Sequence, residues 1–173
     1  MTDLRSAPLP GPSAEDHVRG PARSPLVIVY ADFECPYCAV AARRLEAAPL
    51  RSVFRHFPVR TSHPRAWAAA GAAEAAGLQG RFWEMHDLLF SDQGRLEDPH
   101  LWARARTLGL DLERFEADRR DEPVVARIRR DFESGVKGGI VTTPTLIAGG
   151  VRYAGRIDAQ VLEELGASSG SRR

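Results

Sequence analysis

Two residue types are scarce in this chain of 173 residues: it has two cysteines, Cys35 and Cys38, and a single lysine, Lys137. So few thiols exclude a disulfide-built scaffold, and a chain of this length can bury an adequate core without one. Also missing is any apolar run approaching the roughly 18 residues of a membrane span. The stretch from Leu26 to Ala31 falls short of the roughly 7 to 15 apolar residues at the heart of a secretory signal. Neither charge sign is in excess, since 24 Lys and Arg face 23 Asp and Glu. That balance gives no electrostatic basis for a nucleic-acid or membrane partner. The composition, 43% hydrophobic and 27% charged, is that of a globular chain of one domain, expected in the cytoplasm.

What is present begins with residues 1–24, rich in Pro, Ser, Ala and Gly and without apolar periodicity, which read as a disordered tail. The pattern changes at Pro25. "LVIVYADF" is a continuous apolar, β-branched run, the mark of a strand buried on both faces, and it delivers the chain to Cys35. After the cysteines, "AVAARRLEAA" places Cys38, Ala41, Ala42 and Leu45 on one helical face, with Pro36 where proline favours a first helical turn. "RSVFRHFPV" alternates as a second strand, which makes residues 25–61 a βαβ unit. Residues 62–136 read as helices throughout. Phe82, His86 and Leu89 share one stripe, Trp83 and His86 read as packed core, and Val125, Ile128 and Phe132 mark the buried face of the last helix. At "TTPTLIAGGVRYAG" the period returns to two, with Gly149 and Gly150 as a hairpin turn. "RIDAQVLEELG" closes the fold as a helix capped by Asp158 and stopped by Gly166, so residues 137–166 read as ββα. Residues 167–173 read as a second disordered tail. The fold class is α/β.

The chemistry gathers at "DFECPYCAVA". Two cysteines in a whole chain rarely fall three residues apart by chance. A structural bridge across so short a loop removes little unfolded-chain entropy. A complete zinc site wants four ligands, and the five histidines offer no pair at zinc-finger spacing,. A cluster shared by two chains' cysteines remains open as a non-enzymatic alternative. The redox reading has a mechanism: a thiol at the first turn of a helix meets unpaired N–H groups and the positive end of the helix dipole, which favour the thiolate. Cys35 is then the nucleophile, and Cys38, one turn on, is the resolving thiol. Pro36 and Tyr37 between them tune the thiolate. Phe33 and Tyr37 are candidate substrate contacts. Asp32 and Glu34 are candidate proton acceptors, Glu34 above all.

These features together resemble the DsbA-like thiol-disulfide oxidoreductases. Cys-Pro-Tyr-Cys stands at a strand-to-helix junction, the chain returns through Thr143-Pro144-Thr145 into ββα, and "HPRAWAAAGAAEAAGLQGRFWEMHDLLF" resembles the insertion of cytoplasmic and antiporter-linked members. Glutaredoxins share the tetrapeptide but lack an insertion of this size. The resemblance implies a thioredoxin fold with an all-helical insertion between the βαβ and ββα halves. It also implies a cis-proline at Pro144, with Thr143 offering backbone groups to an extended substrate. The partners it implies are protein or small-thiol substrates, glutathione among them, and no cofactor or metal. Glutathione-dependent transfer or isomerisation is the rival enzymatic reading. The chain departs from the family pattern in two places, at three positions. Val29 stands where a buried acid is usual, six residues before the nucleophile, and Thr142 and Leu146 replace the residues usual around the proline.

Overall fold

The computed structural model describes residues 7–167. Five strands form one mixed sheet: β1 His17–Arg19, β2 Leu26–Ala31, β3 Arg51–His56, β4 Thr145–Ala148 and β5 Val151–Ala154, in the order β1-β3-β2-β4-β5. β2 and β3 run parallel, with Leu26 opposite Arg51 and Ala31 opposite His56, while the other pairings are antiparallel. α1, Pro36–Ala47, is the crossover between the parallel strands. Between β3 and β4 come α2 Ala66–Gly77, α3 Phe82–Ser91, α4 Asp98–Thr107, α5 Leu112–Asp118 and α6 Glu122–Lys137. α7, Ala159–Ala167, follows the β4–β5 hairpin. This is the expected order of a βαβ half, a helical insertion and a ββα half.

The strand period of two divides the core between the two faces of the sheet. Val27, Val29 and Ala31 of β2 join Phe54, α1 and α3 in the larger cluster. Ile28 and Tyr30 point the other way and pack with Val53, Phe57 and Ile140, flanked by Phe132 of α6. Gly135 lets α6 lie close, since a Cβ there would come within 2.7 Å of the Phe57 ring. The hairpin turns on Gly149 and Gly150 at φ of 57° and 84°, values that glycine adopts without steric cost,.

Three expectations need correction. The first concerns the N-terminal tail. Residues 1–6 and 168–173, parts of both expected tails, lie outside the described residues, but residues 7–24 are ordered. His17, Val18 and Arg19 pair with Phe54, Val53 and Ser52 as an edge strand. The Arg55 guanidinium, only 4% exposed, takes up the Pro10 and Gly11 carbonyls, both at 2.7 Å, and the Asp16 carboxylate. The composition of the segment lacks an apolar pattern because buried polar groups and a long-range ladder order it. Second, the buried stripe of α6 is Val124, Ile128, Asp131 and Gly135, with Val125 and Phe132 only partly buried at its flank. Asp131 belongs there because its carboxylate accepts the backbone N–H of His56. Third, α7 continues through Gly166 to Ala167, while Asp158 caps it as expected by accepting from Val161 N.

Candidate active site around Cys35 and Cys38

β2 ends at Ala31 and three residues bring the chain to Cys35, the N-cap of α1, in an extended conformation (φ −78°, ψ 120°) with Pro36 at the first helical position. Both cysteines are free thiols. Cys35 is 4% and Cys38 1% exposed, so both are buried. From across the sheet, the segment before β4 completes the site. The Thr143–Pro144 peptide bond is cis, and the Thr143 carbonyl lies 3.4 Å from Cys35 Sγ.

The two sulfurs occupy opposite electrostatic environments. The Cys35 thiol is pulled from 9.0 down to about 6. The largest cause is a hydrogen bond donated by the Cys38 thiol; burial opposes it, and the Thr143 side chain and the N–H groups of Cys38 and Tyr37 add to the lowering. The two N–H groups belong to the first turn of α1, where a helix directs its donors towards its N-terminus,. Cys38 is pushed the other way, first by burial and then by its bond and charge interaction with Cys35. The pair therefore presents one ready thiolate and one thiol that holds its proton.

The loop that presents Cys35 is fastened on three sides. The Asp32 carboxylate, fully buried, accepts from the backbone N–H groups of Glu34 and Val59 and lies 2.8 Å from His63 Nδ1, while Asp32 N donates to Cys38 Sγ at 3.5 Å. Glu34 is held by Arg65, whose backbone N and Nε donate to its two oxygens at 2.7 and 2.8 Å. Gln93, in the turn between α3 and α4, donates from Nε2 to the carbonyls of Phe33 and Cys35, both at 2.8 Å. That turn is itself pinned by Arg104, whose guanidinium donates to the carbonyls of Leu88, Asp92, Arg95 and His100. The helical insertion thus sets the position of the nucleophile.

Of the residues singled out in the sequence, Cys35, Pro36, Tyr37, Cys38, Thr143 and Pro144 come together here. Tyr37, two residues after the nucleophile, is 58% exposed, and Val141, two residues before Thr143, is 90% exposed. Phe33 does not join them. It is 1% exposed and packed among the rings of Phe54, His86 and Phe90, which makes it core. The carboxylates of Asp32 and Glu34 are spent on the loop's own hydrogen bonds, so each serves as a fastening in place of the expected proton acceptor. Arg65 and Gln93 escaped notice because they reach the loop from 31 and 58 or more positions away, and no local pattern signals such contacts. Among the described residues, no group of three or more His, Cys, Asp or Glu side chains is placed to hold a metal ion.

Known proteins match this architecture closely. A family model described as Thioredoxin (Thioredoxin_4) matches residues 13–165. The Na(+)/H(+) antiporter NhaA 1 of Salinispora arenicola is 43% identical over 153 residues, a match that takes in 85% of this chain and 24% of that protein. The chain thus spans about a quarter of the length of the curated relatives it matches. Among solved structures, a thioredoxin-like oxidoreductase from Silicibacter pomeroyi superposes with a TM-score of 0.83 at 24% identity, covering 93% of this chain and 95% of that one. DsbA2 of Pseudomonas aeruginosa superposes with a TM-score of 0.70 at 26% identity, over 90% and 94% of the two chains. With the family model covering nearly the whole chain and the fold shared with DsbA proteins, the chain belongs to the Thioredoxin_4 family, in its DsbA-like form.

Proposed function

We propose that this protein is a thiol-disulfide oxidoreductase in which Cys35 attacks a substrate disulfide and Cys38 resolves the resulting mixed disulfide. The observation that carries the reading is the asymmetry of the pair: a Cys35 thiol lowered to about 6 beside a Cys38 thiol raised by burial. At neutral pH the Cys35 thiolate is ready to attack, and a low-pKa thiolate is also a good leaving group when the pair is returned to the dithiol. An extended peptide, or a small disulfide such as oxidised glutathione, would lie between Tyr37 and Val141 and meet the backbone of Thr143 before Pro144. In the cytoplasmic setting proposed here the pair would rest as the dithiol and act on disulfides presented to it. The antiporter activity in the name of the Salinispora relative belongs to a protein of which this chain matches 24%, and no helix among the described residues is long and apolar enough to cross a membrane.

The test is disulfide exchange with a model protein disulfide and with oxidised glutathione. Cys35→Ser is expected to lower turnover by at least about 100-fold, as loss of a covalent nucleophile does. Cys38→Ser should instead accumulate a mixed disulfide at Cys35, visible as an added mass. Undiminished turnover by Cys35→Ser overturns the reading. The reduction potential of the pair then fixes its direction: about −120 to −180 mV marks an oxidant or isomerase, and about −230 to −270 mV a reductase.

A further inference from the structure

Resolution requires the Cys38 thiol to give up a proton, yet burial raises its pKa, Val29 offers no acceptor, and the carboxylates of Asp32 and Glu34 are engaged elsewhere. The structure holds a different route. Beneath Cys38 lies a cavity of about 20 Å³ walled by Val29, Phe54, Trp83, Arg19 and His86. That is room for one water molecule, which needs roughly 10 to 15 Å³ of such space. Of the polar groups on its wall, Arg19 and Trp83 have hydrogens to donate and no lone pair to receive one, and the Ser52 hydroxyl is a feeble base,. The imidazole is the one group there suited to take a proton.

His86 is also held as a base would be. It projects from α3 and is 3% exposed, between Phe54, Trp83 and Phe90 at ring separations of 5.0, 5.0 and 4.9 Å. Its Nδ1 lies 2.8 Å from Asp87 Oδ1, and Arg19 holds the same carboxylate at 2.8 and 2.9 Å. In the neutral ring this bond places the hydrogen on Nδ1 and leaves the Nε2 lone pair as the acceptor. Among the described residues Nε2 has no protein hydrogen-bond partner. Base and orienting carboxylate thus stand behind the thiol as in other nucleophile systems.

We infer that His86, oriented by Asp87, accepts the proton of Cys38 through one water in this cavity and so triggers resolution of the mixed disulfide. This rests on the oxidoreductase reading above. In the step, the Cys38 S–H bond breaks and its proton passes to His86 Nε2. The Cys38 sulfur forms a bond to Cys35 Sγ, and the bond from Cys35 to the substrate sulfur breaks. The substrate leaves as a thiolate, reduced by two electrons while the pair is oxidised. Burial holds the imidazole below its usual pKa, against the pull of Asp87, with Arg19 and His56 adding to the lowering. The ring is therefore neutral and able to accept at pH 7. The charged and titratable groups around it are Asp87 on its own helix, Arg19 at the end of β1, His56 on β3, and Cys38 on α1.

The probe is 5,5′-dithiobis(2-nitrobenzoate), which reports the two steps as two coloured releases: the first as Cys35 attacks, the second as Cys38 resolves. With His86 as internal base, the second release in the native protein is nearly flat between pH 6.5 and 8.5, because one proton moves within the molecule. Unaided ionisation of Cys38 would instead make it climb about tenfold per pH unit. His86→Gln should slow the second release at least about tenfold relative to the first and restore the steep slope. Imidazole added to His86→Ala should recover part of the loss. A steep slope in the native protein overturns the inference even if neither variant folds. So does a His86→Gln protein in which the second release keeps its native rate, or in which both releases slow together, the mark of a packing role. Absence of the first release from native protein would sink the oxidoreductase reading itself.

Discussion

Cys35 is the residue on which the chemistry is concentrated, and its pKa is a measurable quantity. Alkylation by iodoacetamide should follow a titration centred near pH 6, three units below an ordinary thiol, and a midpoint near 9 would remove the thiolate from the account,. The same shift carries a stability consequence. Because the folded pKa is depressed, the thiolate contributes nothing below pH 6, builds as pH rises from 6 to 9, and is complete above 9; at pH 7 it amounts to roughly 1 kcal/mol. The disulfide form has no thiolate. Urea midpoints of the reduced and oxidised protein should therefore diverge in favour of the reduced form between pH 6 and pH 9,. A difference that does not change with pH would count against it. At this scale the sequence was legible where chemistry is local, since the Cys35–Cys38 spacing and the helix start at Pro36 declare themselves. It was not legible where a side chain arrives from elsewhere, as with Gln93, Arg65 and His86. Phe33 was misjudged although its position was readable. It follows Ala31 by two, and the period of β2 carries it to the same, buried side.

Among the elements, the helices of the insertion are fixed by how closely they approach one another. A Cβ on Gly71 of α2 would stand 2.7 Å from the Arg119 carbonyl at the end of α5, and backbone cannot yield as a side chain can. Gly71→Ala should lose stability by roughly 1 to 3 kcal/mol in overpacking, even though alanine in a helix interior is worth up to about 1 kcal/mol over glycine. A more stable variant in chemical denaturation would show that α2 and α5 can separate. That residues 62–136 are helical was legible in their pattern. The buried face of α6 was not, because Asp131 and Gly135 carry no hydrophobic signal while occupying the stripe. β1 was hidden for a related reason: three residues of mixed polarity become a strand only when the edge of β3 is there to pair with them.

At the scale of the whole molecule, the segment before β2 is part of the fold. Arg55 is buried under residues 10–16, and Asp16 supplies the only carboxylate that meets its guanidinium among the described residues. Asp16→Ala should cost about 2 to 3 kcal/mol, the price of a buried charge left with two carbonyls and the Tyr30 hydroxyl,. For a chain of this length that corresponds to a fall in Tm of roughly 5 to 10 degrees, readable by calorimetry. An unchanged Tm would mean that the segment lies on the sheet without stabilising it.

The same docking decides on which face of the sheet the first described residues lie. Leu9 packs with Tyr30 and Phe57 on one side of the sheet and against the Gly138 backbone, and Ala7 N donates to the Lys137 carbonyl at 2.9 Å. α1 and the cysteines pack on the other side. A label placed at Ala7 would therefore sit on the face of the sheet opposite the one that carries α1 and the cysteines.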